Sequence, residues 1–461
     1  MLGASLLLEQ MRSIVGDRGI LMGEAVAARS CDPFIHTPPR SPAILRPAST
    51  GELSRIMALC HDAGQKVVTH GGCTGVSGGA LASESELVIS LERMNRIIEI
   101  DPFGSTMTVE AGASIEAVQS AAAQHGLLYP IDLGSKGTAT VGGAIATNAG
   151  GNRVIRWGMT RQNVLGLEAV LSDGTVVSLL NRFLKNNTGY DLKQVFIGSE
   201  GTLGIVTCAV LRLVPAPTTQ KVAFISVASY QHVLELLKRA RGLPQLSAFE
   251  VMWRDYYAVI SSHDSTRRPI GDDQPFYILI EALGTDEALD EASFDSFLEA
   301  AHQAGLIVDA AVAKSLRQAQ ELWRIRESSE ILLRAMAPFI SFDVSVDVRR
   351  ANEFVAAVHA AVGDRFGSFK AVAFGHLGDS NIHLGIHVGE ETKRRETEVE
   401  ECVYTRLASF GGALTAEHGI GSAKRQFLPR HVTPEALRAM RSIRRAFDPK
   451  RLLNDQVLFL P

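Results

Sequence analysis

VVTHGGCTGVSGGA, residues 67–80, runs from a short β-branched strand, Lys66–Thr69, into a loop with five glycines in nine positions. A single tight turn uses one or two glycines. Five remove side chains from the whole loop and leave bare N–H groups able to wrap a diphosphate. No Gly-Lys-Ser/Thr follows, so this is not a Walker A loop. GxGxxG is absent and no βαβ unit surrounds the stretch, so it is not a dinucleotide fingerprint. Two later segments repeat the theme. PIDLGSKGTATVGGAIATNAGG, 130–151, is dense in Gly, Ala and Thr, and few of its side chains project, so a flat ligand could lie against the backbone. IGSEGTLGIVT, 197–207, is the third. Each alone is compatible with ordinary turns; three in this order within 215 residues point to one binding domain.

The 461 residues are enough for two or three domains. With 46% apolar and 21% charged residues the composition is that of a soluble globular protein. A net charge of −4 gives no basic surface for a nucleic acid. Cys31, Cys60, Cys73, Cys208 and Cys402 form no CxxC, zinc or iron–sulfur spacing, and read as reduced thiols of a cytoplasmic protein. The opening MLGASLLLEQMRSIVGD has too short an apolar run for a signal peptide, and residues 1–30 read as helix. No run of about 18 apolar residues predicts a membrane span.

Around Pro215-Ala-Pro217 glycine thins out and elements lengthen. Residues 1–215 form the first domain. Residues 216–425 alternate strands and helices, the pattern of an α+β domain with an antiparallel sheet covered by helices on one face. A long helix is expected over 314–336. Residues 426–461 are a helical segment expected to pack back on the first domain.

FGHLGDSNIHL, 374–384, reads as strand, Gly-Asp turn, strand. Asn381 and His383 share a face, and His376 ends the preceding strand where it can face them. TAEHG, 415–419, adds Glu417 and His418. His376, His383 and Glu417 are a donor set suited to zinc, with an open fourth position for a substrate oxygen; His418, pointing the other way, is left as a base. Taken singly, the same histidines are turn and core residues. ELWRIRESSE, 321–330, offers Arg326 either as a fork for a carboxylate or as the i,i+4 partner of Glu330 on a solvated helix face.

The three glycine segments resemble those of FAD-linked oxidases with the vanillyl-alcohol-oxidase and p-cresol-methylhydroxylase type of FAD-binding domain. Over residues 40–455 the chain resembles the D-2-hydroxy-acid dehydrogenases, which include D-2-hydroxyglutarate and D-lactate dehydrogenases and the FAD subunit of glycolate oxidase. The resemblance implies non-covalent FAD. Gly71, Gly72, Cys73, Thr74, Gly75 and Gly78 match the diphosphate loop. Pro130, Gly137, Thr140, Gly143, Asn148 and Gly150 match the segment along the isoalloxazine and ribityl chain. Glu200, Gly201, Gly204 and Ile205 match the segment at the adenosine half, and Asn454 matches a C-terminal asparagine, here followed by Asp455 instead of Pro. His70 and Cys73 are where some wider relatives tether flavin. HLGDSNIH and EHGIG resemble the segments carrying the divalent metal, so His376, His383 and Glu417 would ligate it and His418 would take the hydroxyl proton. Arg326, in a W-x-x-R-E segment, would contact substrate, with Asn381 beside it. Ser341 and Gly385 depart from the D-2-hydroxyglutarate pattern, which has Lys and Asn there, so D-lactate and related monocarboxylates stand beside D-2-hydroxyglutarate.

The implied activity is oxidation of a D-2-hydroxy acid to the 2-keto acid, with hydride to flavin N5. No haem or iron–sulfur motif is present, so the acceptor is external: an electron-transfer flavoprotein, a quinone, a cytochrome or oxygen. A homodimer is compatible with the sequence. The alternatives are oxidation of another alcohol on the same fold, a metal hydrolase with a nucleotide-binding domain, and a non-catalytic flavin-binding subunit.

Overall fold

The computed structural model describes residues 2–33, 36–263 and 266–460. They form two compact units. The first comprises residues 1–151, 157–216 and 417–461, the second residues 152–156 and 217–416.

The first unit holds two main sheets on a large apolar core, with a two-stranded pairing of Leu127–Leu128 and Val214–Pro215 beside them. In the four-stranded sheet the order is Ile20–Met22, Ala43–Leu45, Leu87–Ser90, Val67–His70; the last three run parallel. The five-stranded sheet is antiparallel, in the order Ile97–Asp101, Thr106–Glu110, Ile205–Arg212, Val164–Val170, Val176–Leu179. Its last hairpin turns at Asp173-Gly174. Gly174 has φ +87° and lies against the Ser54 carbonyl, so both conformation and space require glycine. The single helix expected over 1–30 is not formed. Helix Leu2–Val15 stops at Gly16, whose φ of 69° cannot continue a helix, and Ile20–Met22 pairs as a strand with Ala43–Leu45.

The second unit is a seven-stranded antiparallel sheet, in the order Asp309–Val312, Thr219–Val227, Phe276–Gly284, Leu246–Trp253, Lys370–Gly375, Asn381–His387, Ile340–Ser345. Helices cover both faces, not one. Leu246–Trp253 and Phe276–Gly284 are buried at every residue, which a sheet with one wet face cannot be. Val222, Phe224, Met252, Tyr277 and Leu279 pack with Tyr256, Tyr257, Leu322, Trp323 and Ile325 on one side. The opposite parity, Ala223, Ile225, Phe249, Val251 and Ile278, is equally dry, so it too lies under a layer. The helix expected over 314–336 is broken at Ser328, φ −78° and ψ 52°, into Leu316–Glu327 and Ser329–Met336.

Candidate active site

In the first unit the strand Val67–His70 delivers the glycine loop to a cleft of about 320 Å3, also walled by helix Val141–Thr147. A smaller hollow continues it to Glu200, Gly204 and Ile205. Gly75 and Gly79 have open space where a Cβ would stand, so their bare backbone faces the cleft. Gly71 and Gly72 differ: a Cβ there would strike Thr140 and the Thr138 carbonyl, so these glycines let the loop close on the neighbouring segment. Thr140 caps the helix, its Oγ1 accepting the Gly143 N–H at 3.2 Å. Thr69 Oγ1 lines the cleft, buried and without a protein partner. Of the residues singled out for a cofactor, Gly71, Gly72, Cys73, Thr74, Gly75, Thr140, Gly143, Gly150, Glu200, Gly201, Gly204, Ile205 and Asn454 line the cleft or its extension. Gly78, Pro130, Gly137 and Asn148 do not. Gly78 packs on Ser422, and Asn148 ends the helix with φ 51°, its Oδ1 accepting the Arg161 N–H.

Glu200 ties this cleft to the segment 417–461. Its carboxyl accepts the Ile420 and Gly421 N–H groups at 2.9 and 2.8 Å. Burial pushes its pKa above the ordinary carboxylate value, and these two donors and the charge of Lys424 offset that only in part. Asn454, φ 41°, accepts the Thr69 N–H at 3.0 Å and donates to the Glu200 carbonyl at 2.9 Å. Asp455, standing where Pro was expected, anchors that turn by pairing with Lys66 at 2.7 Å and Arg451 at 2.7 Å. His70 Nε2 meets the Ala80 carbonyl at 2.8 Å, and burial lowers its pKa, so the ring is a neutral donor. Burial pushes the Cys73 thiol up to about 12. Neither is an activated nucleophile. Glu417 and His418 also line the cleft, and Glu417 Oε1 accepts the Gly151 N–H at 2.7 Å.

In the second unit the hairpin forms at one end of the sheet. Strand Lys370–Gly375 ends one residue before His376, a 3-10 turn covers Leu377–Asp379, and Ser380 at φ 78° starts the return strand. The His376 and His383 rings come together, with centroids 5.3 Å apart. Each is backed by a buried carboxylate. His376 Nδ1 donates to Glu250 Oε1 at 2.8 Å, which leaves Nε2 as the lone-pair nitrogen. His383 Nδ1 lies 3.8 Å from Asp343 Oδ1, across the strand pair. Asp343 Oδ2 in turn accepts from Thr415 Oγ1 at 3.1 Å and the Ala416 N–H at 3.2 Å. The backbone one residue ahead of Glu417 is thus held by the carboxylate that faces His383. Asn381 shares His383's face of the strand, and both its amide atoms are buried with no protein partner.

Arg326 is not on a solvated face, and it does not pair with Glu330, which takes Arg334 instead. It is buried, its Nε donating to Glu250 Oε2 at 2.7 Å and its guanidinium standing 4.8 Å over the Phe374 ring. Nη2 lies 3.4 Å from His376 Nε2. Burial alone would raise the Glu250 pKa, but His376 and Arg326 outweigh it and hold the group below the ordinary value. The residues that differ from the D-2-hydroxyglutarate pattern, Ser341 and Gly385, are direct cross-strand partners. With Val372 they form the next rung on the same face as Asp343–His383–Phe374, two residues along. A Cβ on Gly385 would come within 3.1 Å of Val372 and 3.4 Å of Phe339.

Sequence reading missed Glu250, Asp343 and a third buried carboxylate, Glu281. Glu281 is held by Arg153 at 2.9 Å, Ser247 at 2.7 Å, Gln220 at 2.7 Å and Trp323 at 3.0 Å. The available signal was a lone acid inside an apolar strand, as in AFEVMW, LIEAL and SFDVS. A charge fixed at the centre of a dry sheet requires a partner.

Comparison with known proteins also divides the chain near residue 216, although the second match runs on through residues 417–457, which belong to the first unit. A family model described as "FAD binding domain" matches residues 41–180, and one described as "FAD linked oxidases, C-terminal domain" matches residues 216–457. A probable mitochondrial D-2-hydroxyglutarate dehydrogenase of Oryza sativa subsp. indica is 38% identical over 450 residues, covering 96% of this chain and 80% of that protein. A D-2-hydroxyglutarate dehydrogenase of Xanthomonas citri pv. viticola is 36% identical, with 91% and 90% covered. A putative mitochondrial D-lactate dehydrogenase of Schizosaccharomyces pombe is 34% identical, with 89% and 80% covered. Among solved structures, substrate-bound p-cresol methylhydroxylase superposes with a TM-score of 0.75 at 15% identity, covering 98% of this chain and 96% of that one. A 4-ethylphenol oxidase from Gulosibacter chungangensis gives 0.74 at 16%, with 99% and 97% covered. These two likenesses establish the fold.

Proposed function

The chain belongs to the family of FAD-linked oxidases and is an oxidoreductase, and from that premise we propose that it oxidises a D-2-hydroxy acid to the 2-keto acid. FAD fits the first unit's cleft without a covalent tether. Gly75 and Gly79 offer bare backbone, Thr69 offers an unpartnered hydroxyl, and Cys73 and His70 are both neutral and inert. A divalent cation, with zinc the best match to two imidazoles and a carboxylate, would be held by His376, His383 and Glu417. The observation that supports the reading is His376 itself: Glu250 accepts from Nδ1, so Nε2 carries the lone pair, here turned toward Arg326 Nη2 at 3.4 Å, and carboxylate–histidine–metal sites use the same tautomer.

FAD, when bound, supplies the acceptor for two electrons and the carbon-bound hydrogen. A bound cation supplies charge that lowers the pKa of the substrate hydroxyl. His418 takes the hydroxyl proton. Arg326 places a positive charge beside His376, and the Asn381 amide, unsatisfied within the protein, is free to bond the substrate carboxylate and orient it. The rung beyond His383, formed by Val372, Gly385 and Ser341 under Phe339, would receive the substrate's side chain. Lys370, the nearest lysine on this strand face, is exposed and a full rung further on, about 7 Å away. A second carboxylate at this rung would meet the exposed Ser341 hydroxyl and no cation, a weaker anchor than an ammonium. Monocarboxylates such as D-lactate and its longer homologues therefore fit better than D-2-hydroxyglutarate. The electrons leave to an external acceptor, and the five unpaired thiols suit a reducing compartment such as the cytoplasm.

An anaerobic panel tests this directly. D-lactate and D-2-hydroxybutyrate should bleach the flavin band near ~450 nm faster than D-2-hydroxyglutarate, and L-lactate should not bleach it. Chelation should stop bleaching and leave the flavin bound. If dithionite bleaches the flavin and no D-2-hydroxy acid does, the proposal fails.

A further inference from the structure

The helix Pro434–Phe447 and its flanks carry a charge that the proposed chemistry does not use. Residues 424–451 hold nine Lys and Arg against only Glu435 and Asp448, in a chain whose net charge is −4. Asp448 is buried and occupied by the Leu452 and Leu453 N–H groups, Glu435 pairs with Arg438, and Asp455 just beyond pairs with Arg451, so the excess at this surface is carried chiefly by Arg441 and Arg445. Arg438, Arg441, Arg445 and Arg451 join the buried Arg444 around a hollow of about 450 Å3 floored by Phe459 and Leu460. Of the exposed apolar side chains nearby, Leu460, 46% exposed, lines this hollow, while Met440 and Ile443 stand on another face of the helix. An arginine face with Phe459 and the exposed Leu460 in its hollow is complementary to a protein surface rich in carboxylates. The surface also backs onto the cleft. Arg444 Nη2 donates to the Leu453 carbonyl at 3.0 Å and faces Asp455, and Asn454 between them lines the cleft.

We propose that this face of the Pro434–Phe447 helix docks the acidic surface of the electron-carrying protein that reoxidises the flavin. The inference rests on the family's flavin chemistry and not on which hydroxy acid is the substrate. The reduced flavin gives up two electrons and a proton, and the carrier takes the electrons. A lipid bilayer would present anions too. However, the surface is concave where a flat bilayer cannot follow it, and residues 424–460 contain no Trp or Tyr of the kind that anchors a helix at an interface.

The test uses the full holoenzyme with its flavin reduced by dithionite, so it runs whatever the substrate proves to be. The triple variant Arg438→Glu, Arg441→Glu, Arg445→Glu changes exposed side chains only and leaves Arg444 in place. Reoxidation is followed with three probes: an acidic flavodoxin, a basic c-type cytochrome and a small dye. With wild type, flavodoxin should be the faster protein acceptor, and its rate should fall about 10-fold between about 50 and 300 mM salt. The variant should lose about 10-fold or more with flavodoxin, gain with cytochrome, and keep its dye rate and melting temperature. An Arg→Lys triple should restore the flavodoxin rate. The proposal is overturned if flavodoxin reoxidises wild type and variant equally, or reoxidises neither while the dye works. It is also overturned if the variant instead loses co-sedimentation with phosphatidylglycerol vesicles at an unchanged flavodoxin rate.

Discussion

Replacing Glu250 isolates the physics of the hairpin site. The carboxylate is almost fully buried and serves two partners, Arg326 Nε at 2.7 Å and His376 Nδ1 at 2.8 Å. Glu250→Ala leaves the Arg326 guanidinium in a dry environment with no counter-charge. Removing one member of such a pair costs about 3–5 kcal/mol, because the remaining charge stays desolvated. Glu250→Leu combined with Arg326→Met removes both charges and fills the space, and should cost far less, about 1–2 kcal/mol. Urea unfolding followed by tryptophan fluorescence reads both. The proposed metal site provides a second readout: with its tautomer and orientation released, His376 should lose about 10–100-fold in metal affinity or in flavin reduction rate. Two results would refute the reasoning. One is a Glu250→Ala protein that unfolds at the wild-type midpoint; the other is a double variant whose loss equals the sum of the two single losses.

His418→Ala should slow anaerobic flavin reduction by about 10²–10⁴-fold at unchanged flavin content, and an unchanged rate would remove it as the base. Asn381→Ala should keep stability within about 1 kcal/mol, since the amide bonds nothing in the protein, while substrate binding weakens at least ~10-fold; a large stability loss without a change in binding would mean the amide is structural. Burial raises the pKa of Glu281, but Arg153 and its hydrogen bonds outweigh that and hold it below the ordinary carboxylate value. Its contribution is therefore present above the unfolded pKa and lost as pH falls through the folded one. Glu281→Gln should flatten the decline in urea midpoint below about pH 4.3, and an equally steep decline would place that linkage elsewhere.

How far the residues alone reached depended on the scale of the pattern. The glycine loop 67–80 and the hairpin 374–384 are local: glycine spacing and i,i+2 alternation determine them, and both lie where the chain reading put them. Gly16 and Gly23 break the helix expected over 1–30, because both adopt a positive φ that a helix cannot contain. The one-face covering failed because strands such as FYILIEALG are apolar at nearly every position, a pattern equally compatible with a second helical layer. Glu250 and Asp343 stayed hidden because their partners lie 126 and 40 residues away. A fold is needed to bring them together, and only the anomaly of an acid in an apolar strand marks them in advance.

The Thr69 N–H is answered by the amide of a residue 385 positions later, and that amide also grips the Glu200 carbonyl. During synthesis the glycine loop emerges early, yet this wall of its cleft is missing until Asn454 leaves the ribosome. On the proposed assignment of FAD to this cleft, pigment loading is a late event, one that reports on whether nearly the whole chain has been made. A nascent chain stalled before that point would be colourless, however well its first sheets had folded.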